Sequence, residues 1–125
     1  MRVICLLVLL ALAVPASVGG GPFQQAPPAV AREQVVEISA ERFSFTPSEI
    51  KTTVGTTLQF RLQSDDTNHG FRITGTDVNV EIPKRGRGTV TATFVPTQPG
   101  RYTFECSHVC GAGHSFMRGV IVVRE

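Results

Sequence analysis

The residues best suited to bind a metal are concentrated in one short stretch near the C-terminus, CSHVCGAGHSFM. Four of its twelve residues are candidate ligands, the thiols of Cys106 and Cys110, the imidazole of His114 and the thioether of Met117. Thiolate and thioether sulfur suit Cu(I), and imidazole suits copper in both of its common oxidation states. The stretch therefore predicts a copper site.

A second candidate imidazole ligand stands upstream, at His69 in the segment SDDTNHGF. Together with the C-terminal stretch it gives two thiolates, two imidazoles and a thioether, a set that favours copper. His69 is a weak signal by itself, since a surface histidine is the ordinary alternative. We expect the side chain of His108, between the cysteines, to face solvent or to lie behind the ligands.

The same residues leave other interpretations open. Cys106 and Cys110 could form a disulfide, the default for two cysteines in an exported domain, but a disulfide gives no reason for His114 and Met117 to follow. Two cysteines and two histidines could hold zinc, although Met117 is not a zinc ligand. Met117 could instead be a core residue. A site with a single copper ion is a further alternative, but it would leave one cysteine without a role.

The elements that must position these residues are predicted to be strands. Apolar and polar residues alternate over 58–63, 89–94 and 101–106, the period of a strand with one buried face. The other candidate strands are 35–38, 42–45, 71–73, 78–82 and the apolar run 120–123. Many short strands separated by turns favour an all-β, antiparallel β-sandwich.

The copper-binding stretch joins two of the predicted strands, 101–106 and 120–123. It therefore lies in a loop at the end of a sheet. Gly111 and Gly113 are expected to let this loop turn tightly.

The N-terminal segment is predicted to lie outside the fold. Arg2, an apolar run over 3–14 and the small residues that follow have the order of a secretory signal. Twelve helical residues span ~18 Å, less than the ~30 Å of a bilayer core. We interpret 1–16 as a signal peptide or short anchor, with Cys5 as apolar filler, 17–34 as a flexible linker and 35–125 as the domain. The protein is then exported to the periplasm or the outer face of the cytoplasmic membrane.

Charge and motifs narrow the class of function. The 12 basic and 10 acidic residues are nearly balanced, so no nucleic acid partner is expected. No catalytic triad, phosphate-binding loop or carboxylate pair is visible, so we expect no catalysis from this chain alone. The turn with Lys84, Arg85 and Arg87 is interpreted as a solvated loop, and Asp65 and Asp66 could steer a basic electron donor.

The stretch CSHVCGAGHSFM resembles the binuclear copper loop of the CuA domain of cytochrome c oxidase subunit II, and the likeness extends through SDDTNHGF, PGRYTFECS and RGVIVV. The resemblance implies a cupredoxin-like Greek-key β-sandwich. It also implies two copper ions that are bridged by the thiolates of Cys106 and Cys110. His69 and His114 would each bind one of the ions. Met117 and the backbone carbonyl of His108 would be the two weak ligands. Many family members carry Glu where His108 stands, and many carry a Trp-containing patch, whereas this chain has no Trp.

The function that the resemblance implies is electron transfer. The domain would accept electrons from a cytochrome c or similar redox protein and pass them to an oxidase, with oxidase subunit I as a candidate partner and membrane association through the N-terminus. Two other functions stay open from the residues. One is an exported protein that binds and delivers copper without redox turnover, and the other is a disulfide-stapled sandwich that binds a partner without metal.

Overall fold

The computed structural model of the protein describes Gly21 and residues 30–125. The predicted signal peptide 1–16 and most of the predicted linker 17–34 lie outside the described residues. In the described ranges, no helix has the length and apolar character needed to cross a membrane.

Between residues 33 and 124 the chain forms nine strands and one 3₁₀ turn. The 3₁₀ turn, His114–Phe116, lies between the last two strands. The strands in chain order are β1 (Glu33–Glu41), β2 (Ser44–Thr46), β3 (Glu49–Thr53), β4 (Thr57–Ser64), β5 (His69–Ile73), β6 (Asn79–Ile82), β7 (Val90–Phe94), β8 (Gly100–Glu105) and β9 (Arg118–Arg124).

The strands form two sheets, which confirms the all-β prediction. One sheet has the order β2-β1-β4-β7 and the other β3-β9-β8-β5-β6. The expectation of a purely antiparallel sandwich is wrong at two places, because β1 pairs with β4 and β3 pairs with β9 in parallel. Parallel neighbours need a crossover between them, and here the β2–β3 segment passes to the other sheet before β4 returns beside β1.

Two local predictions also differ from the structure. The candidate strand 42–45 begins too early, because Arg42 and Phe43 form the turn between β1 and β2. Strand β3 has no counterpart among the predicted strands, since only one of its two buried positions, Ile50 and Thr52, is apolar. At the N-terminus, β1 begins at Glu33 and so includes the last two residues of the predicted linker.

The core between the sheets is centred on aromatic side chains. Phe45, Phe60, Phe71 and Phe104 come from four different strands and are at most 2% exposed. Their ring centroids lie between 5.1 and 6.0 Å apart in neighbouring pairs. The two pairs made by Phe45 are edge-on and the other two are tilted, and all of them bury a large apolar area. Phe71 and Phe104 lie near the end of the sandwich at which β5 begins and β8 ends.

Candidate metal centre

The sheet register brings the predicted ligands to that end. Glu105 at the end of β8 pairs with Arg118 at the start of β9, so the loop 106–117 leaves and returns at one place. In the neighbouring strand β5, Arg72 pairs with Glu105, and the residues that precede Arg72 run past the end of β8. His69 therefore lies beside the loop although it is far away in sequence.

The two thiols of the loop lie side by side. The Sγ atoms of Cys106 and Cys110 are 3.8 Å apart, both thiols are free, and both residues are buried. A disulfide would need about 2 Å, so the sulfurs are not bonded to each other here. Metal–sulfur bonds are ~2.3 Å long, so an ion between the thiols can reach both of them.

Each thiol has its own imidazole. The Nδ1 atom of His69 lies 3.9 Å from Cys106 Sγ, and Nδ1 of His114 lies 3.8 Å from Cys110 Sγ. His69, Cys106 and Cys110 also satisfy the mutual spacing of a metal-binding group, with their donor atoms all within 4.8 Å. The centre thus has one sulfur–imidazole pair on each side.

Each thiol also has its own weaker donor. The backbone carbonyl oxygen of His108 lies 3.1 Å from Cys106 Sγ. On the other side, Met117 Sδ lies 3.9 Å from Cys110 Sγ, and Met117 is only 1% exposed. We call Cys106, His69 and the His108 carbonyl the inner half of the site, and Cys110, His114 and Met117 the outer half.

The buried imidazole of the inner half is oriented by a carboxylate. Nε2 of His69 lies 2.7 Å from Oδ1 of Asp66. Burial raises the pKa of Asp66, but hydrogen bonds from His69 and from the backbone N–H groups of Thr67 and Arg42 outweigh burial and lower that pKa to about 2. An ionised carboxylate can only accept, so Nε2 carries the proton and the lone pair of Nδ1 faces the thiols. Carboxylate partners fix metal-binding histidines in this way.

Sequence reasoning missed the turn that holds the loop in place. The backbone N–H of Arg42 donates to Asp66 Oδ2 at 3.0 Å, and Arg42 Nε donates to the carbonyl of Cys110 at 2.8 Å. One residue therefore ties the carboxylate of the inner half to the backbone of the outer half. No local pattern marks this role, because the bonded positions are far apart in the chain.

The ring of Phe43 explains the glycines of the loop. A Cβ atom on Gly113 would lie 2.3 Å from the Phe43 ring, although the backbone φ of Gly113 is ordinary. Gly111 has a φ of 142° and also lies against that ring. The tight loop predicted from the sequence is thus partly a matter of packing against Phe43.

Gly70 allows a second close approach, between β5 and the Cys106–His108 backbone. Its N–H donates to Cys106 Sγ at 3.4 Å, and a Cβ at this position would lie 2.7 Å from the backbone nitrogen of His108. The absence of a side chain at Gly70 thus lets a backbone N–H reach the sulfur of Cys106.

The thiol of Cys110 holds its proton more strongly than a free cysteine does. Burial, followed by the neighbouring Cys106 thiol, raises the pKa of Cys110 to about 11. Because thiolate is the metal ligand, binding must release this proton.

The structure brings all six predicted donors together. The side chain of His108 points away from the thiols, with Nδ1 3.4 Å from Glu81 Oε1 at the surface, in agreement with the expected orientation. That the six donors bind copper stays a prediction at this point.

Comparisons with known proteins show which family the chain resembles. A family model described as the cupredoxin-like domain matches residues 2–123. Two curated sequences of cytochrome c oxidase subunit 2 from Thermus thermophilus are each 38% identical to the chain over 93 residues, or 74% of its length. The chain spans 67% of one of these relatives and 54% of the other.

Solved structures with the same architecture confirm the cupredoxin-like sandwich. A heme-copper terminal oxidase dimer determined by cryo-electron microscopy contains a chain that matches with a TM-score of 0.69 and 29% identity, over 84% of this chain and 74% of that one. The periplasmic domain of subunit II of cytochrome oxidase of Bradyrhizobium japonicum matches with a TM-score of 0.65, over 73% of this chain and 83% of that one. Its identity of 18% supports the fold alone.

Proposed function

Because the chain belongs to the cupredoxin-like domains and, within them, to the CuA-domain family of cytochrome c oxidase subunit II, we propose that it is an electron-transfer domain with a binuclear copper centre. It accepts electrons from a redox protein such as a cytochrome c and passes them to an oxidase subunit. The proposed location is the periplasmic side of the cytoplasmic membrane.

The paired arrangement of the donors is the observation that carries this proposal. Each of two thiols 3.8 Å apart has one imidazole and one weak donor of its own. A single ion would leave one half of this set unused, whereas two ions that share both sulfurs use all six donors. The thioether of Met117 favours copper over zinc, because soft sulfur ligands select Cu(I).

The chain supplies a dry and rigid environment for a redox change. Cys106, Cys110, Met117 and His69 are at most 5% exposed, so little water has to reorganise when an electron arrives. Two thiolates offset part of the charge of the metal, which lowers the cost of burying it. The fixed N–H of Gly70 adds a preorganised dipole at the sulfur. The copper pair, when bound, supplies a one-electron change shared between two metals.

The burial of the donors also favours electron transfer over copper delivery. A protein that hands its metal to a partner must expose its ligands to that partner. In the inner half, His69 has no exposed surface and Cys106 has 4%. The partly exposed residue His114 offers a route for electrons rather than an exit for both ions.

A reductive titration tests the proposed function. We expect the copper-loaded protein to take up one electron for each pair of copper ions and to release it again on oxidation, without loss of metal. Copper analysis before and after several cycles provides the control. Irreversible loss of copper on reduction would instead support a delivery protein, and one electron for each copper would contradict a shared pair.

A further inference from the structure

A positive charge is fixed against the outer half of the metal centre. Arg42 lies in the turn between β1 and β2, and its Nε donates to the backbone carbonyl of Cys110 at 2.8 Å. Because Cys110 carries both this carbonyl and one of the two sulfurs, the guanidinium is held close to the sulfur. Arginine is not deprotonated in proteins, so the charge is permanent.

The turn that carries Arg42 is held in place by contacts other than the guanidinium. The backbone N–H of Arg42 donates to Asp66 Oδ2 at 3.0 Å, and the ring of the next residue, Phe43, packs against Gly111 and Gly113. These contacts belong to the backbone and to a neighbouring side chain, so they remain when the side chain at position 42 is replaced. The charge can therefore be changed without releasing the turn from the loop.

The guanidinium of Arg42 has no carboxylate within ion-pair distance among the residues that the structure describes. Asp66 is bonded to the backbone N–H of Arg42 and not to its side chain, and it also accepts hydrogen bonds from His69 and from the N–H of Thr67. Its charge is thus placed at the inner half. The positive charge of Arg42 therefore acts on the outer half without a bonded counter-ion.

The thiol of Cys110 responds to this charge. Burial, followed by the neighbouring Cys106 thiol, raises the pKa of Cys110, while the charge of Arg42 acts in the opposite direction. A nearby cation favours the negative form of a group. It also favours any other change that makes the site less positive, and the uptake of an electron is such a change.

The inner half carries a fixed charge of the opposite sign. Asp66 is ionised at neutral pH, because its pKa is lowered to about 2, and its Oδ1 lies 2.7 Å from Nε2 of His69. A carboxylate bonded to a metal-binding imidazole raises the basicity of that ligand, which favours the more positive, oxidised state. The two fixed charges thus bias the two halves in opposite directions.

We propose that Arg42 is a positioning residue that acts through Cys110 and raises the reduction potential of the metal centre by its fixed charge. The inference rests on the proposed function and adds to it a residue that sets the potential. In the redox step the site takes up one electron from a donor, no bond forms or breaks, and the charge of the site falls by one unit. A cation held beside Cys110 disfavours the more positive, oxidised state relative to the reduced one.

Voltammetry of the copper-loaded protein tests the proposal with Arg42→Gln, which removes the charge but keeps an amide donor. We expect the equilibrium constant for reduction to fall about 3- to 10-fold, because water weakens the effect of a charge on an exposed side chain. For a one-electron couple this is a potential lower by about 30 to 60 mV. An unchanged or higher potential in this variant, at full copper content, would overturn the proposal.

Two control variants separate the local charge from other effects. Arg124→Gln removes an exposed arginine at the end of β9 that lies away from the loop. It should have little effect at 0.15 M salt, where the screening length is about 8 Å. Arg42→Lys keeps the charge at the original position and should keep most of the potential.

The two controls contradict the proposal in different ways. Equal shifts in Arg124→Gln and Arg42→Gln would show that overall charge matters and not a local one. Equal shifts in Arg42→Lys and Arg42→Gln would show that the hydrogen bond to Cys110 acts and not the charge.

Copper affinity gives a readout that does not depend on electron transfer. Competition with chelators for Cu(I) and for Cu(II) gives two affinities, and by linkage Arg42→Gln should lower their Cu(I) to Cu(II) ratio about 3- to 10-fold. A purely structural role would weaken both affinities and leave the ratio unchanged, and that result would contradict the proposal.

The same two measurements distinguish this inference from the proposed function. An unmodified protein that binds copper but shows no reversible one-electron couple would count against the proposed function, and the affinity ratio would still test the role of Arg42. A reversible couple whose potential is the same in Arg42→Gln would leave the proposed function intact and overturn the inference alone. A chain that bound no copper would overturn both.

Discussion

The two halves of the metal centre share a pair of sulfurs but are held in different ways. In the inner half, His69 has no exposed surface and is bonded to the Asp66 carboxylate. In the outer half, His114 is partly exposed on a 3₁₀ turn. Among the residues that the structure describes, its Nε2 has no hydrogen-bond partner.

This difference suggests that the two halves have different roles within one site. In the inner half, His69 begins strand β5 and its partner Asp66 lies in the loop that follows β4, so the fold holds this imidazole in place without metal, while Cys106 and the His108 carbonyl belong to the loop 106–117. The outer half depends on the loop 106–117 and on the contacts that Arg42 and Phe43 make with that loop. We expect the inner half to set the geometry of the centre and the outer half to exchange electrons with a partner.

The largest effect is expected where the two halves meet. Cys106→Ser or Cys110→Ser removes a sulfur that both metal ions need, so either change should abolish the shared-electron signal completely. The measurement is the electron paramagnetic resonance spectrum after copper loading, with Ser115→Ala on the same loop as the control. A full signal in either cysteine variant would show that this sulfur does not bridge.

The next comparison removes one imidazole at a time. His69→Gly and His114→Gly should each lose the two-copper spectrum, but added imidazole should restore only the second variant. Solvent reaches the position of His114, whereas His69 is completely buried and its space is closed to an outside ligand. Optical titration with imidazole measures the difference. Equal rescue of the two variants would mean that added imidazole reaches both histidine positions equally well.

A smaller effect is expected from the support of the inner half. Asp66→Asn removes the charge that fixes the tautomer of His69, and loss of such a partner typically lowers metal affinity about 10- to 100-fold. Asp65→Asn is the matched control, because Asp65 bonds to Ser39 and not to His69. Competition with a copper chelator gives the two affinities. Identical values would show that Asp66 does not support the metal-binding role of His69.

The smallest effect is expected at the weak ligand of the outer half. Met117→Leu nearly conserves volume in a buried site, so it should cost less than about 1.5 kcal/mol of stability. Copper should stay bound while the reduction potential shifts, because weak ligands tune the redox balance. Voltammetry and metal analysis test both statements. An unchanged reduction potential at full copper content would show that Met117 is a core residue and not a ligand.

The sequence was most informative where the pattern is local. Period-two alternation predicts β4, β7 and most of β8, and the spacing of Cys106, Cys110, His114 and Met117 predicts donors on one loop. The run 120–123 was less informative, because a continuous apolar stretch hides which face is buried. Only Ile121 and Val123 of that run are buried in β9, while Val120 and Val122 are only partly covered.

Contacts between distant segments account for what was not predicted. The contacts of Arg42 with Asp66 and with Cys110 join positions 24 and 68 residues apart, and the Gly70 N–H meets a sulfur 36 residues away. These roles depend on how the two sheets are placed together. No spacing within a single segment contains that information.

The most direct test of the account is whether one unpaired electron is shared by both halves of the site. Electron paramagnetic resonance of the copper-loaded, partly oxidised protein, with the copper content measured on the same sample, answers this question. We predict two copper ions per chain and a hyperfine pattern from two copper nuclei. One copper ion per chain, or a pattern from a single copper nucleus, would contradict the central claim that Cys106 and Cys110 bridge a metal pair.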